Sequence, residues 1–326
     1  MDSVKLPPIP YGSVFFAPME GITDDTFRKV ILKLYPEWDY LATDFLRVPS
    51  AGRYPVRHLV KHIGLSHLEN RWIMEKTQYQ ILTSHTAFTT QMVSDLQNLG
   101  VPWIDVNLGC PSNQVCKNKG GSYLLQDLPR LRGLIRDIRT TFRGRFTAKI
   151  RIGYSDTKPL EETIRLLNDE GVEMITVHGR TREMMYKEPA KWEFIAKAVS
   201  LSKVPIIGNG DVWQTSDIDR MLKETGCHGV MVARGALKLP WMAQDYRQGF
   251  HQDDGARRIQ KMKEFFRAYR EELETDHVSM RGLLSQSKSV SRFMLQGIEN
   301  GEVHRRKLLL SQTVPEFYEV LESIQS

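Results

Sequence analysis

Cys110 stands in the run WIDVNLGCPSNQVCKNKGGSYLL (103–125), where an apolar strand pattern carrying Asn107 is stopped abruptly by Gly109 and Pro111. Turn residues on both sides fix the thiol at a strand mouth. A free thiol titrates near ~8.5, so at neutral pH it holds a proton it can donate unless nearby cations stabilise the thiolate. Many isolated cysteines are simply small buried hydrophobes, and Cys116 and Cys227, which lack this setting, read that way. Ile104, Val106 and Leu108 alternate with Asp105 and Asn107, the period of a half-buried strand.

Other chemistry-bearing side chains recur at comparable places. Pro18-Met19-Glu20, Asp44, Gln80, Lys149 with Arg151, His178 with Arg180, Asn209 with Asp211, and Arg234 fall in or at the ends of short β-branched or aromatic runs. Singly, each has a bland explanation: Lys149 in FTAKIRI as a snorkelling strand lysine, His178 as a satisfied core histidine. Together, a thiol, an amide, a lysine and a histidine at successive strand ends point to a site. The turns GNGD (208–211) and ARGA (233–236) offer backbone N–H groups to an anion, although glycine turns also serve merely as links. A flat cofactor with one phosphate, lying across these ends with its ring edge at Gln80 and Lys149, suits the set; flavin mononucleotide (FMN) answers to that description.

These residues need a scaffold that brings strand ends together. Eight strand-like runs occur at 13–19, 40–45, 79–84, 103–109, 146–152, 174–180, 204–210 and 229–235. Helical patterns at 87–99, 130–142, 159–170, 190–201 and 214–225 separate the later ones. Eight βα repeats predict a (β/α)₈ TIM barrel, an α/β fold whose active sites lie at the C-terminal strand ends. No GxGxxG or GxxxxGK[ST] follows a strand, which argues against dinucleotide-fold and P-loop readings. After residue 245 the pattern is helical (257–274, 279–298, 313–324), so a barrel over 1–243 and a small C-terminal helical domain over 244–326 are expected.

Composition sets the outer limits. At 326 residues, 41% hydrophobic and 26% charged, the chain suits a soluble protein with one large core or a core plus a smaller appended domain. Three cysteines without paired CxxC spacing fit a reducing cytoplasm and no zinc framework, and His58 with His62 lacks a third ligand, so no metal is expected. MDSVKLPPIP has no apolar leader core, and no run approaches the ~20 residues of a membrane span. A net charge of +6 favours an anionic partner. The stretch 47–71, with Arg47, Arg53, Arg57, Lys61 and Arg71 against Glu69 alone, reads as a basic loop.

The runs APMEGITDDTFR (17–28), DVNLGCPSNQVCKNKGGSYLL (105–125), KIRIG (149–153), VHGRT (177–181), IGNGD (207–211) and MVARGAL (231–237) resemble, in order and spacing, the tRNA-dihydrouridine synthases. The resemblance implies an FMN barrel with a helical tRNA-binding domain that reduces a D-loop uridine with NADPH. It implies that Cys110 protonates C5 of uracil while reduced flavin delivers hydride to C6. Pro18, Met19 and Glu20 would run along the flavin, Gln80 and Lys149 meet its polar ring edge, and His178 sit beside it near the uracil. Asn209, Gly210, Asp211, Ala233 and Arg234 would hold the phosphate. Arg47, Asn107, Arg151 and Tyr186 would touch the flipped-out uridine or its strand, and Lys288 the tRNA. Thr83 and Ala233 depart from frequent family glycines, but neither removes a backbone donor. PMEG (18–21) and FLRV (45–48) are most similar to the bacterial subgroup acting at position sixteen.

From Tyr246 onward there are 13 Lys/Arg and 12 Asp/Glu, so any RNA face there must be segregated; Lys288 with Arg292, and Arg305-Arg306-Lys307, are its candidates. A monomer is the expected state. A small-molecule FMN dehydrogenase of the dihydroorotate or dihydropyrimidine type, and a non-catalytic tRNA-binding barrel, are the rival functions.

Overall fold

The computed structural model describes residues 6–84, 87–251 and 254–325. Nine parallel strands form one sheet: β1 (Ser13–Phe16), β2 (Tyr40–Ala42), β3 (Leu46–Arg47), β4 (Thr77–Leu82), β5 (Trp103–Leu108), β6 (Arg145–Arg151), β7 (Met174–His178), β8 (Ile206–Asn209) and β9 (Gly229–Val232). Pairing of β1 with β9 and of β2 with β4 closes eight of them into a TIM barrel, leaving β3 as a two-residue spur on the end of β4. The expected strand 40–45 is thus broken. At Thr43 the backbone N–H still bonds to Gln78, but the Thr43 hydroxyl accepts the Gln80 N–H at 3.0 Å where a ladder carbonyl would, and the Asp44 N–H turns to Thr23.

Strand period two sorts the residues into two packed layers. Phe15, Ala17, Tyr40, Trp103, Met174, Ile207 and Met231 fill the barrel interior, with Leu6 and Ile9 packed against them. Val14, Phe16, Ile104, Val106, Leu108 and Ile150 face the surrounding helices. All six residues of β5 are therefore buried, and the face carrying Asp105 and Asn107 turns to the barrel interior and not, as half-burial would have it, to solvent.

The expected helices are present with shifted ends, and more occur than the periodicity predicts. The 47–71 stretch is not a loop: Val56–Ile63, Leu65–Glu69 and Arg71–Lys76 are helices, divided at Gly64 (φ 96°) and at Asn70, whose side chain caps the third through the Ile73 N–H. The first carries Val56, Leu59, Val60 and Ile63 at helical spacing, a stripe masked by the basic residues between them, whereas the other two are too short to display one. After the barrel come Gly255–Thr275, Met280–Met294, Gly301–Leu310 and Val314–Ser323. The third of these was hidden because only Gly301 and Leu308 are buried. This helical region seats against the first barrel helix (Asp25–Leu34), where Phe27 packs edge-on against Phe265 and Tyr269. Lys29 bridges Glu272 and Asp276 at the rim of the same contact. Among the described residues no helix is long and apolar enough to cross a membrane.

Candidate active site

The strand ends converge on a cavity of about 290 Å³, near the lower bound of small-ligand pockets (~300 Å³). Pro18, Met19, Glu20, Asn107, Cys110, Lys149, Arg151, His178, Tyr186, Asn209, Gly210, Asp211, Ala233 and Arg234 all line it. So do Phe45, directly after Asp44, and Trp213, two residues after Asp211, neither of which its residue type alone marks as a site residue. Gln80, Arg47 and Lys288 stand elsewhere. Gln80 is fully buried off the wall, donating to Asp105 and accepting from Asn107. Arg47 lies on β3 with its guanidinium over the Phe45 ring at 5.8 Å, close enough for its charge to act on Cys110. Lys288 is half-buried on the Met280–Met294 helix.

Cys110 is held by its backbone. Asn107 Oδ1 accepts the N–H groups of Gly109 at 3.0 Å and Cys110 at 2.9 Å, a turn that directs the chain out of β5. Ser122 Oγ donates to the Cys110 carbonyl at 2.8 Å. The thiol is 9% exposed and borders the cavity. Burial is the largest influence on it and raises its pKa, outweighing the Ser112 backbone N–H; Glu20 adds to the rise.

Two basic groups share the wall. Lys149 sits among the barrel side chains, its ammonium donating to Asn209 Oδ1 at 3.2 Å. Withdrawal from water, reinforced by Arg151, lowers its pKa to about 8, with Asp105 and Cys110 opposing. It is still cationic at pH 7. His178 is pushed well below its ordinary value by burial and by Arg151, Lys149, Arg180 and Arg234, so it is a neutral imidazole. Its buried Nδ1 has no protein partner. With His178 neutral and burial the dominant influence on Cys110, the thiol stays protonated at neutral pH beside the Lys149 cation.

The two turns after β8 and β9 touch. A Cβ on Gly235 would lie 2.1 Å from the Val212 carbonyl, and one on Gly210 (φ 121°) would lie 2.8 Å from Ala190 Cβ, so both positions need glycine. Asp211, left-handed at φ 53°, accepts from buried Arg180 at 2.6 Å, from the Ala190 N–H at 2.7 Å and from Arg234 at 3.3 Å. These partners hold its carboxyl below the usual range despite burial. Its side chain thus ties the turn after β8 to both Arg180 and Arg234. Arg180 was noted at a strand end but not assigned a role; its bond to Asp211 supplies one.

Tyr186 is 53% exposed, with the guanidinium of Arg234 at 4.8 Å and that of Arg151 at 5.5 Å from its ring. Arg151 is buried and donates to the carbonyls of Gly109, Thr181 and Met185, so it braces the rim as well as lining the cavity. The donor set fits a flavin mononucleotide: an orphaned His178 nitrogen, a lysine with a single weak acceptor, glycine turns beside Arg234, and three cationic against two carboxylate wall residues.

The basic stretch 47–71 is partly neutralised in the fold. Arg53 pairs with Asp95, Arg71 with Glu75, His62 lies 3.1 Å from Asp44 and buried His67 2.6 Å from Asp25. Among the described residues, no cluster of three or more His, Cys, Asp or Glu side chains is placed to hold a metal.

A thiol whose pKa is raised keeps its proton at every pH below that value and loses it only as pH climbs through it. Iodoacetamide alkylation of Cys110 in flavin-free protein, whose rate follows the thiolate fraction, should therefore be slow at neutrality and reach half its maximum only above the ordinary thiol range. A half-maximal rate below about pH 8 contradicts the protonated thiol.

The family model described as dihydrouridine synthase matches residues 15–325. The tRNA-dihydrouridine(16) synthase of Shewanella oneidensis is 28% identical over 316 residues, covering 96% of this chain and 98% of its own. That of Pseudomonas syringae pv. tomato is 32% identical over 234 residues, covering 71% and 73%. The probable tRNA-dihydrouridine synthase of Aquifex aeolicus is 28% identical over 317 residues, covering 95% of each chain. Among solved structures, a 2-naphthoyl-CoA reductase complex superposes with TM-score 0.55 at 12% identity, over 74% of this chain and 52% of that one. A morphinone reductase variant with tetrahydroNAD gives TM-score 0.51 at 10% identity, over 74% and 88%; both likenesses concern the barrel fold. With the profile spanning the barrel and the helices beyond it, the chain belongs to the dihydrouridine synthase family.

Proposed function

We infer that this chain is a tRNA-dihydrouridine synthase, an FMN-dependent oxidoreductase that reduces uridine 16 of the tRNA D-loop to 5,6-dihydrouridine with NADPH in the cytoplasm. The observation that carries the chemical part is a protonated thiol, a neutral histidine and a cationic lysine on one cavity wall. The choice of position 16 is supported by relatives bearing that number.

Reduction saturates the C5–C6 bond of uracil, adding a hydride at C6 and a proton at C5, while NADPH becomes NADP⁺. FMN, when bound, would supply the hydride. Pro18, Met19 and Glu20 would border its length, Lys149 and His178 would meet its polar edge, and the turns at Asn209-Gly210-Asp211 and Ala233-Arg234 would hold its phosphate. Lys149 places a positive charge where reduction concentrates negative charge. Cys110 gives its proton to C5, and Asn107 keeps the thiol-bearing turn fixed. The loss is made good from solvent once product leaves. Tyr186 offers an exposed aromatic face for a base out of its stack, with the Arg151 guanidinium at its ring, and Arg47 on β3 would meet the strand's phosphates. Gln80 acts on the cavity through Asn107.

Residues 1–243 are the catalytic barrel and 244–326 the tRNA-binding domain, with Lys288 among its contacts. A tRNA gel shift tests this against a free-substrate dehydrogenase. The purified protein should carry a flavin absorption spectrum and bind tRNA with an affinity that falls steeply as salt rises. Turnover of free dihydropyrimidines without tRNA binding would support the small-molecule rival, and absence of flavin the non-catalytic one.

A further inference from the structure

The register places Gln80 and Thr147 beside Asp105, one on each neighbouring strand, in a buried layer of the barrel. Asp105 is 1% exposed. Thr147 Oγ1 donates to its Oδ1 at 2.6 Å and Gln80 Nε2 to its Oδ2 at 2.7 Å. With Nε2 committed, Gln80 Oε1 accepts from Asn107 Nδ2 at 2.8 Å. That leaves Asn107 Oδ1 to accept the Gly109 and Cys110 N–H groups. At the other end the Trp103 indole N–H donates to Thr147 Oγ1 at 3.0 Å, so the threonine proton must pass on to Asp105.

An amide has a donor end and an acceptor end of nearly equal shape, so neither Gln80 nor Asn107 carries a direction of its own. A carboxylate only accepts, and this one is reached by two donors. Burial lifts the Asp105 pKa to about 6, opposed by Thr147, Gln80 and Lys149, which leaves it ionised at neutral pH. Reversing the chain would turn Asn107 Nδ2 toward the N–H groups it now accepts.

We propose that Asp105 is a positioning residue for Cys110: the acceptor-only end of a buried chain that orients the Gln80 and Asn107 amides and so fixes the thiol-bearing turn at the cavity. Its kinetic consequence rests on the function proposed above. In Asp105→Asn the terminal group is itself an amide, and the chain can run either way.

The test uses full-length Asp105→Asn. Measured at pH 7, on the cationic side of Lys149, flavin content and flavin reduction by NADPH should stay within about twofold of the parent, and the KM for tRNA likewise, while kcat for dihydrouridine falls about tenfold to a hundredfold, the range lost when a reacting group is misplaced by about 1 Å. In flavin-free protein, iodoacetamide should alkylate Cys110 several-fold faster, because its turn has loosened. Thr147→Val, which removes one donor to Asp105, should move both readouts in the same direction by less, and it decides the matter if Asp105→Asn does not fold. Unchanged kcat and unchanged alkylation overturn the proposal, as does an equal loss in flavin reduction and dihydrouridine formation, the mark of a merely structural role. If the parent forms no dihydrouridine, the proposed function fails, and the alkylation comparison still decides for or against the Asp105 chain.

Discussion

Cys110→Ala should still bind flavin and tRNA and still oxidise NADPH, yet form dihydrouridine about 10²–10⁴-fold more slowly, the usual contribution of a positioned general acid. The substitution removes one sulfur from a turn whose geometry is set by the Asn107 and Ser122 bonds to backbone, neither of which uses the thiol. The cavity therefore keeps its shape and its cations. What is lost is a proton held beside the cavity by burial, with Glu20 disfavouring its release. NADPH oxidation in a single turnover is the internal control, since it needs no proton at uracil C5. Full product yield from the variant would remove Cys110 from the chemistry.

Lys149→Met should give the opposite split. Methionine keeps most of the stem but not the charge, so tRNA binding should persist while flavin retention weakens and reduction by NADPH slows about 10²–10³-fold, the scale of losing one preorganised electrostatic donor. The pH dependence follows from the same group. Burial and Arg151 lower its pKa to about 8, so the cation is fully present below that value and disappears as pH rises through it. In the parent, flavin reduction should therefore decline above about pH 8 while Cys110 remains a thiol; in Lys149→Met that decline should vanish. Stopped-flow reduction across the range separates the two groups. Equal flavin occupancy and rates in parent and variant would contradict the placement of Lys149 at the cofactor.

The barrel was legible because strand period two and strand-end turns survive in a single sequence: NLGCP, IGNGD and VARG each mark a strand end within a few residues. The site was legible for the same reason, since a residue at a C-terminal strand end in this fold has little choice but to face the mouth. Four things were not. Short helices such as Leu65–Glu69 have no room for a 3.6-residue stripe, and Gly301–Leu310 buries only two residues, so neither carries a periodic signal. The direction of β5 was misjudged, because alternation alone does not say whether the polar face meets water or a barrel interior. And Gln80, read as a ring-edge contact, stands one hydrogen bond behind Asn107, a distinction that depends on strand register. Charge in the 47–71 stretch was likewise overcounted, since Arg53 and Arg71 find Asp95 and Glu75 only once the chain is folded.

The most direct measurement is nucleoside-resolved mapping of unmodified tRNA transcript incubated with purified protein, FMN and NADPH. Dihydrouridine at position 16, dependent on NADPH and nearly absent with Cys110→Ala, is the predicted result. Oxidation of NADPH with no dihydrouridine anywhere in the tRNA would contradict the account.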